Sequence, residues 1–225
     1  MTEAEWLVCD DLVRMVDFLR RRCSERKLRL FEVACCLRLG RFLVPEIAAA
    51  LATAERFADG AASARQLLAA RKAADHANST LVPEAPERYA AYAAYLAARK
   101  TLPGPRAVNW AFRAAVLAAG AAPGSDGPPR WPVSRPDEER AQVALWRDII
   151  GNPFRPSPFE PSWRTSTVVG LAGVVYDQGA FDRLPILADA LEDAGCTDRA
   201  ILDHCRGPGP HVRGCWVVDL ILGKQ

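Results

Sequence analysis

Between Pro86 and Ala119 the chain reads PERYAAYAAYLAARKTLPGPRAVNWAFRAAVLAA, two alanine-saturated runs parted by a Pro-Gly-Pro break. Alanine gives up almost no side-chain entropy in a helix and has no branched β-carbon to favour a strand, so these runs can only be helical. Elsewhere apolar residues recur at three- and four-residue spacing, and the strict alternation of a half-buried strand is nearly absent. The chain is therefore expected to be all-α: a multi-helical array with an alanine-rich N-terminal helical half and a compact C-terminal helical half.

Local signals place the ends. Asp10 or Asp11 can cap a helix running to about Arg20, and Ser24 opens a second whose apolar side includes Leu28, Phe31, Leu39 and Phe42. Pro45 suits a first helical turn, and Ser63 with Gln66 reads as a capping box. Helices are expected over 87–100 and 106–119. From Gly120 to Pro136 proline and glycine forbid regular structure, which divides the chain into residues 1–122, a linker over 123–136 to which Trp131 adds an anchor, and a helical unit over 137–225. In that last unit Asp137, Asp182 and Thr197 are expected caps, Gly195 an expected stop, and the final helix is expected from about His211 to Leu222.

The totals exclude some functions. A net charge of +2 gives no global signal for polyanion binding. The acidic start MTEAEWLVCDD lacks the order of a signal peptide, and every apolar run meets a charge before reaching membrane-spanning length. The expected setting is cytoplasmic, with no membrane partner. Seven cysteines, an odd number, rule out complete pairing, and free buried thiols are the expectation.

The segment HCRGPGPHVRGCW, His204 to Trp216, carries the densest chemistry. His204, Cys205, His211 and Cys215 are the candidate metal ligands, with zinc the corresponding cofactor. A helix over 198–205 would separate Cys196 from Cys205 by about 13 Å at about 1.5 Å rise per residue, too far to share one ion. His211 and Cys215 fall one helical turn apart, and His204 or Cys205 can join them across the GPGP loop. That makes three ligands, and Cys9, Cys35 or Cys36 are candidates for a fourth. The alternative of Cys215 as nucleophile beside His211 and Asp219 is weakened by the apolar helix around it, where a buried thiol is inert. No catalytic residue is assigned. The acids Asp189, Glu192 and Asp193 read as the wet side of an amphipathic helix, with Arg183, Arg199, Arg206 and Arg213 placed to pair with them. GPGP offers too few free amides for a phosphate cradle.

The segments RKLRLFEVACC, WRDIIGNPFRP, FDRLPILADALEDAGC and HVRGCWVVDLILGK resemble a paralogue-rich family of uncharacterised bacterial proteins. The resemblance implies relatives and no activity. The reading that follows is a non-catalytic helical interaction or scaffold protein with a protein partner and no cofactor. The alternatives are a zinc-type metal protein with its ion between the last two helices, and a nucleic-acid binder using the basic cluster Arg20 to Arg29.

Overall fold

The protein is described by a computed structural model covering residues 1–19, 22–82, 85–100 and 135–224. The expected helix over 106–119, Trp131 and all but the last two residues of the 123–136 linker lie outside the described residues. Within them all regular structure is helical, as the periodicity requires. Eleven α-helices follow in chain order: α1 Glu3–Val8, α2 Leu12–Leu19, α3 Glu25–Leu37, α4 Pro45–Ala58, α5 Ala64–Thr80, α6 Pro86–Ala97, α7 Arg135–Ile150, α8 Ser166–Gln178, α9 Leu184–Asp193, α10 Arg199–Arg206 and α11 Trp216–Leu222. No helix among the described residues is long and apolar enough to cross a membrane. The chain groups into two compact units, one of Met1 with Val8–Val143, the other of Thr2–Leu7 with Ala144–Gln225.

In the first unit α3, α4, α5 and α6 pack on one another. Ser24 accepts the Lys27 amide at the start of α3, and Ser63 and Gln66 close their capping box at the start of α5. Ala90, Ala91, Ala93, Ala94 and Ala97 are fully buried, so the small face of α6 lets its neighbours approach closely. The α3 stripe stops at Leu37, short of Phe42, because Gly40 takes a positive φ of 38° and the chain continues as a single 3-10 turn.

Two charged residues on α3 are enclosed by this packing. Arg29 is 2% exposed, and its guanidinium donates to the carbonyls of Ala97 and Arg99 at 2.6 Å and of Lys100 at 3.2 Å. It thereby satisfies carbonyls left open where α6 ends. Glu32, one turn on, is equally enclosed, and its carboxylate has no hydrogen-bond partner among the described residues. Burial pushes its pKa up to about 8 against the opposing pull of Arg29 and Arg99.

In the second unit α8, α9, α10 and α11 enclose a core that includes Val168, Leu187, Leu191, Ile201 and Val218. Thr165 caps α8 through the Val168 amide, and Asp198, rather than Thr197, caps α10 through the amides of Ala200 and Ile201. Gly195 follows the end of α9 with φ 86°. Helix α1, which carries no strong periodic signal, belongs to this unit: Arg147 donates to the carbonyls of Trp6 and Leu7, and Asn152 to the Glu3 carboxylate.

Two outcomes test the α3 charges. Arg29→Met should destabilise the protein by about 2–4 kcal/mol in urea unfolding, because three enclosed or partly enclosed carbonyls lose their donor. Glu32 holds its proton more tightly folded than unfolded, so stability should fall as pH rises from its ordinary value of 4.5 to about 8. Glu32→Gln should remove that slope and raise stability at pH 7 by about 2–3 kcal/mol, with little effect below pH 4.5.

Candidate metal centre

Four separate positions of the second unit converge. Asp148 lies in the last turn of α7, His204 in the last turn of α10, His211 in the loop that follows, and Cys215 immediately before α11. One ligand atom from each lies within 4.8 Å of all the others. Their side chains are enclosed, with Asp148 2%, His211 10% and His204 18% exposed and Cys215 buried.

The loop achieves this by leaving helical conformation. The expected helix from His211 does not form: Gly214 has φ 96°, and α11 begins only at Trp216 with Cys215 as its N-cap. Gly209 has φ 82°, and a β-carbon there would sit 3.0 Å from the backbone nitrogen of His211. Loop closure, and not a helical turn, brings His211 and Cys215 together.

Asp148 is the common acceptor. Its Oδ1 lies 2.7 Å from His211 Nδ1 and 3.2 Å from His204 Nε2, and its Oδ2 accepts the Val212 amide at 3.0 Å. His204 Nε2 also lies 3.1 Å from the Cys215 sulfur. The indole N–H of Trp216 donates to His204 Nδ1 at 3.1 Å. His211 Nε2 faces the Gly207 carbonyl at 3.3 Å, and the two imidazoles meet edge to face with centroids 4.8 Å apart.

The electrostatics follow from these partners. Burial works against the Asp148 carboxylate, but the hydrogen bonds and charges of His204 and His211 outweigh it and hold its pKa below the usual range. Burial works against the His211 cation too, and Asp148 with the Gly207 carbonyl outweighs it, so its pKa is raised. The Cys215 thiol is pushed well up by burial and by Asp148, with the amides of Val218 and Val217 pulling the other way. A nucleophile reading finds no triad here, because Asp148 and Cys215 both meet the same nitrogen of His204. A cavity of about 260 Å³ lined by Asp148, His204, His211 and the Gly207–Pro210 loop opens onto the group.

Of the four ligands expected from sequence, His204, His211 and Cys215 are brought together. Cys205 stays outside the group, as do Cys9, Cys35 and Cys36. Cys205 faces the apolar core, where burial pushes its pKa up to about 12. Cys196 lies before the Asp198 cap, outside the helix, and like Cys205 is no member of the group. Asp148 went unassigned in the sequence; the available signal was a carboxylate between Trp146 and Ile149, both of which are fully buried.

The other candidates resolve as structure. Arg206 pairs with Asp189 at 2.7 Å and Glu192 at 2.5 Å, and Arg213 donates to the Tyr176 and Asp177 carbonyls. Asp219 is buried within α11. In the basic cluster Arg26 pairs with Asp59 at 2.9 Å and Arg29 is enclosed, while Arg20 and Arg21 lie outside the described residues.

Comparison with known proteins finds no family model, no curated protein and no solved structure that matches this chain.

Gly209→Ala should cost about 2–3 kcal/mol in urea unfolding, from positive-φ strain plus the clash with the His211 backbone. Gly60, with φ 72° and nothing within 4 Å of its missing β-carbon, is the control. Gly60→Ala should cost only about 1 kcal/mol. Equal losses would show that the loop does not depend on the close approach at position 209.

Proposed function

We propose that the chain binds one divalent transition-metal ion of the zinc type through Asp148, His204, His211 and Cys215. The observation that carries this reading is the convergence of a carboxylate, two imidazoles and a thiol from separate segments within 4.8 Å. Tetrahedral zinc, with bonds of about 2.0–2.3 Å, sets its donors about 3.3–3.6 Å apart. To reach that spacing the contacts at 2.7, 3.1 and 3.2 Å open slightly and the longer separations, up to 4.8 Å, close. A thiolate and two imidazoles favour zinc or cobalt over magnesium or calcium, which take oxygen ligands. The ion would replace protons on these groups, its charge reversing the influences that keep the Cys215 thiol protonated. With four protein ligands the role is structural, pinning the Gly207–Cys215 loop, and the cavity supplies the entry path.

The resemblance to the paralogue-rich bacterial family belongs to this proposal. Its segment WRDIIGNPFRP holds Asp148, and HVRGCWVVDLILGK holds His211 and Cys215. A scaffold acting through protein contacts would favour aromatics at its surface; among the described residues Trp6, Trp146 and Trp163 are buried, and the exposed large apolar side chains are aliphatic apart from Tyr92.

The test is titration of metal-free protein with Co²⁺, alongside elemental analysis after purification without added metal. One equivalent of Co²⁺ should give tetrahedral visible bands and a sulfur-to-cobalt charge-transfer band. Cys215→Ser should lose the charge-transfer band, and Asp148→Ala should weaken binding at least tenfold, about 1.4 kcal/mol. Well below one equivalent of metal, with no cobalt spectrum, would sink the proposal.

A further inference from the structure

We infer that Trp216 is the latch of this site: its indole N–H holds His204 in the tautomer that cannot ligate, so that metal must displace the Trp216 bond to bind. The inference rests on the metal-binding reading above and concerns its regulation. An indole N–H only donates, so His204 Nδ1, 3.1 Å away, must present its lone pair. A neutral imidazole then carries its proton on Nε2, the nitrogen that points at Asp148 Oδ1 and the Cys215 sulfur in the middle of the donor group. Ligation through Nε2 demands the reverse, a proton on Nδ1 facing an acceptor. The Trp216 N–H cannot accept it, and two N–H groups would confront each other.

His211 shows the contrast. With Nδ1 turned to the centre of the group and Nε2 facing the Gly207 carbonyl, it already has the second-shell acceptor that a ligating imidazole needs. Exchange of the Nδ1 proton for the ion leaves His211 with Nε2–H on that carbonyl, whereas His204 has a donor where such an acceptor is needed. The Trp216 ring is itself backed by Gly151, whose missing β-carbon would lie 3.0–3.3 Å from three ring atoms, and its centroid lies 5.2 Å from that of His204. Trp216 is also the first residue of α11, so displacing its indole acts directly on the start of the last helix. Two arrangements of the same residues result: a hydrogen-bonded form with Trp216 on His204, and a loaded form with Trp216 released.

Trp216→Phe keeps an aromatic ring and deletes the N–H. Titrated with Co²⁺ in the full-length chain, it should bind about five- to tenfold more tightly than the parent protein. Ring ¹⁵N spectra of the parent protein should show His204 protonated at Nε2 without metal and at Nδ1 after one equivalent of Zn²⁺, a change that a purely packing role for Trp216 does not produce. Equal or weaker Co²⁺ binding by the variant, or a His204 already protonated at Nδ1 without metal, overturns the latch while leaving the metal site standing. Absence of binding by both proteins overturns the metal reading and the latch together. Should the variant not fold, the ¹⁵N spectra of the parent protein decide alone.

Discussion

The carboxylate of Asp148 is enclosed at the end of α7, where an unpaired charge would be strongly destabilising. It is tolerated because His211, His204 and the Val212 amide all point hydrogen-bond donors at it. The converse matters as much. Each of those donors lies in or beside the loop from Gly207 to Cys215, and each is itself shielded from water, so the loop can close only onto a group able to accept from all of them. The bend of that loop, the start of α11 and the approach of Cys215 to His204 follow from one acceptor.

Glu32 shows what the same burial does without partners. Both acids are almost completely enclosed, yet the pKa of Glu32 rises to about 8 while that of Asp148 falls below its ordinary value. Desolvation acts in the same direction on both. The difference lies in hydrogen bonding: Asp148 accepts from two imidazoles and an amide, whereas Glu32 sits near Arg29 and Arg99 without bonding to either. Arg29 spends its donors on the carbonyls at the end of α6, so the charge nearest Glu32 is committed elsewhere.

Helices were legible where the signal is local. Ser24, the Ser63–Gln66 box and Gly195 act within one turn of chain, and each lies where its chemistry places it. The site was half legible. His204, His211 and Cys215 stand out because they crowd one short segment, but their partner Asp148 is 56 residues before His204 and resembles any acid on an amphipathic helix. Reading His211 and Cys215 as one helical turn gave the right neighbours through the wrong geometry. The positive φ at Gly209 and Gly214 ends regular structure there, and nothing in the spacing distinguishes a four-residue turn of helix from a four-residue loop that closes. His204 and Cys205 stand as alternatives across the GPGP loop in the sequence, but consecutive helical residues point about 100° apart, so one faces the donor group and the other the core.

The hydrogen-bonded form leaves the ring nitrogens of His204 and His211 and the oxygens of Asp148 all with partners. That distinguishes it from small domains that collapse without zinc, where the ligands have nothing else to bind. On the proposed reading, an ion must therefore compete with a network that is already stable, and its apparent affinity is its intrinsic affinity reduced by the free energy of the bonds given up. The bond from Trp216 is the part of that network with no replacement in the loaded form, since the carbonyl facing His211 stays useful and the Asp148 and Cys215 atoms become ligands. Weakening of the site thus falls on a single N–H, at the residue where the last helix begins, which is where a change in metal occupancy has the shortest route to a change in structure.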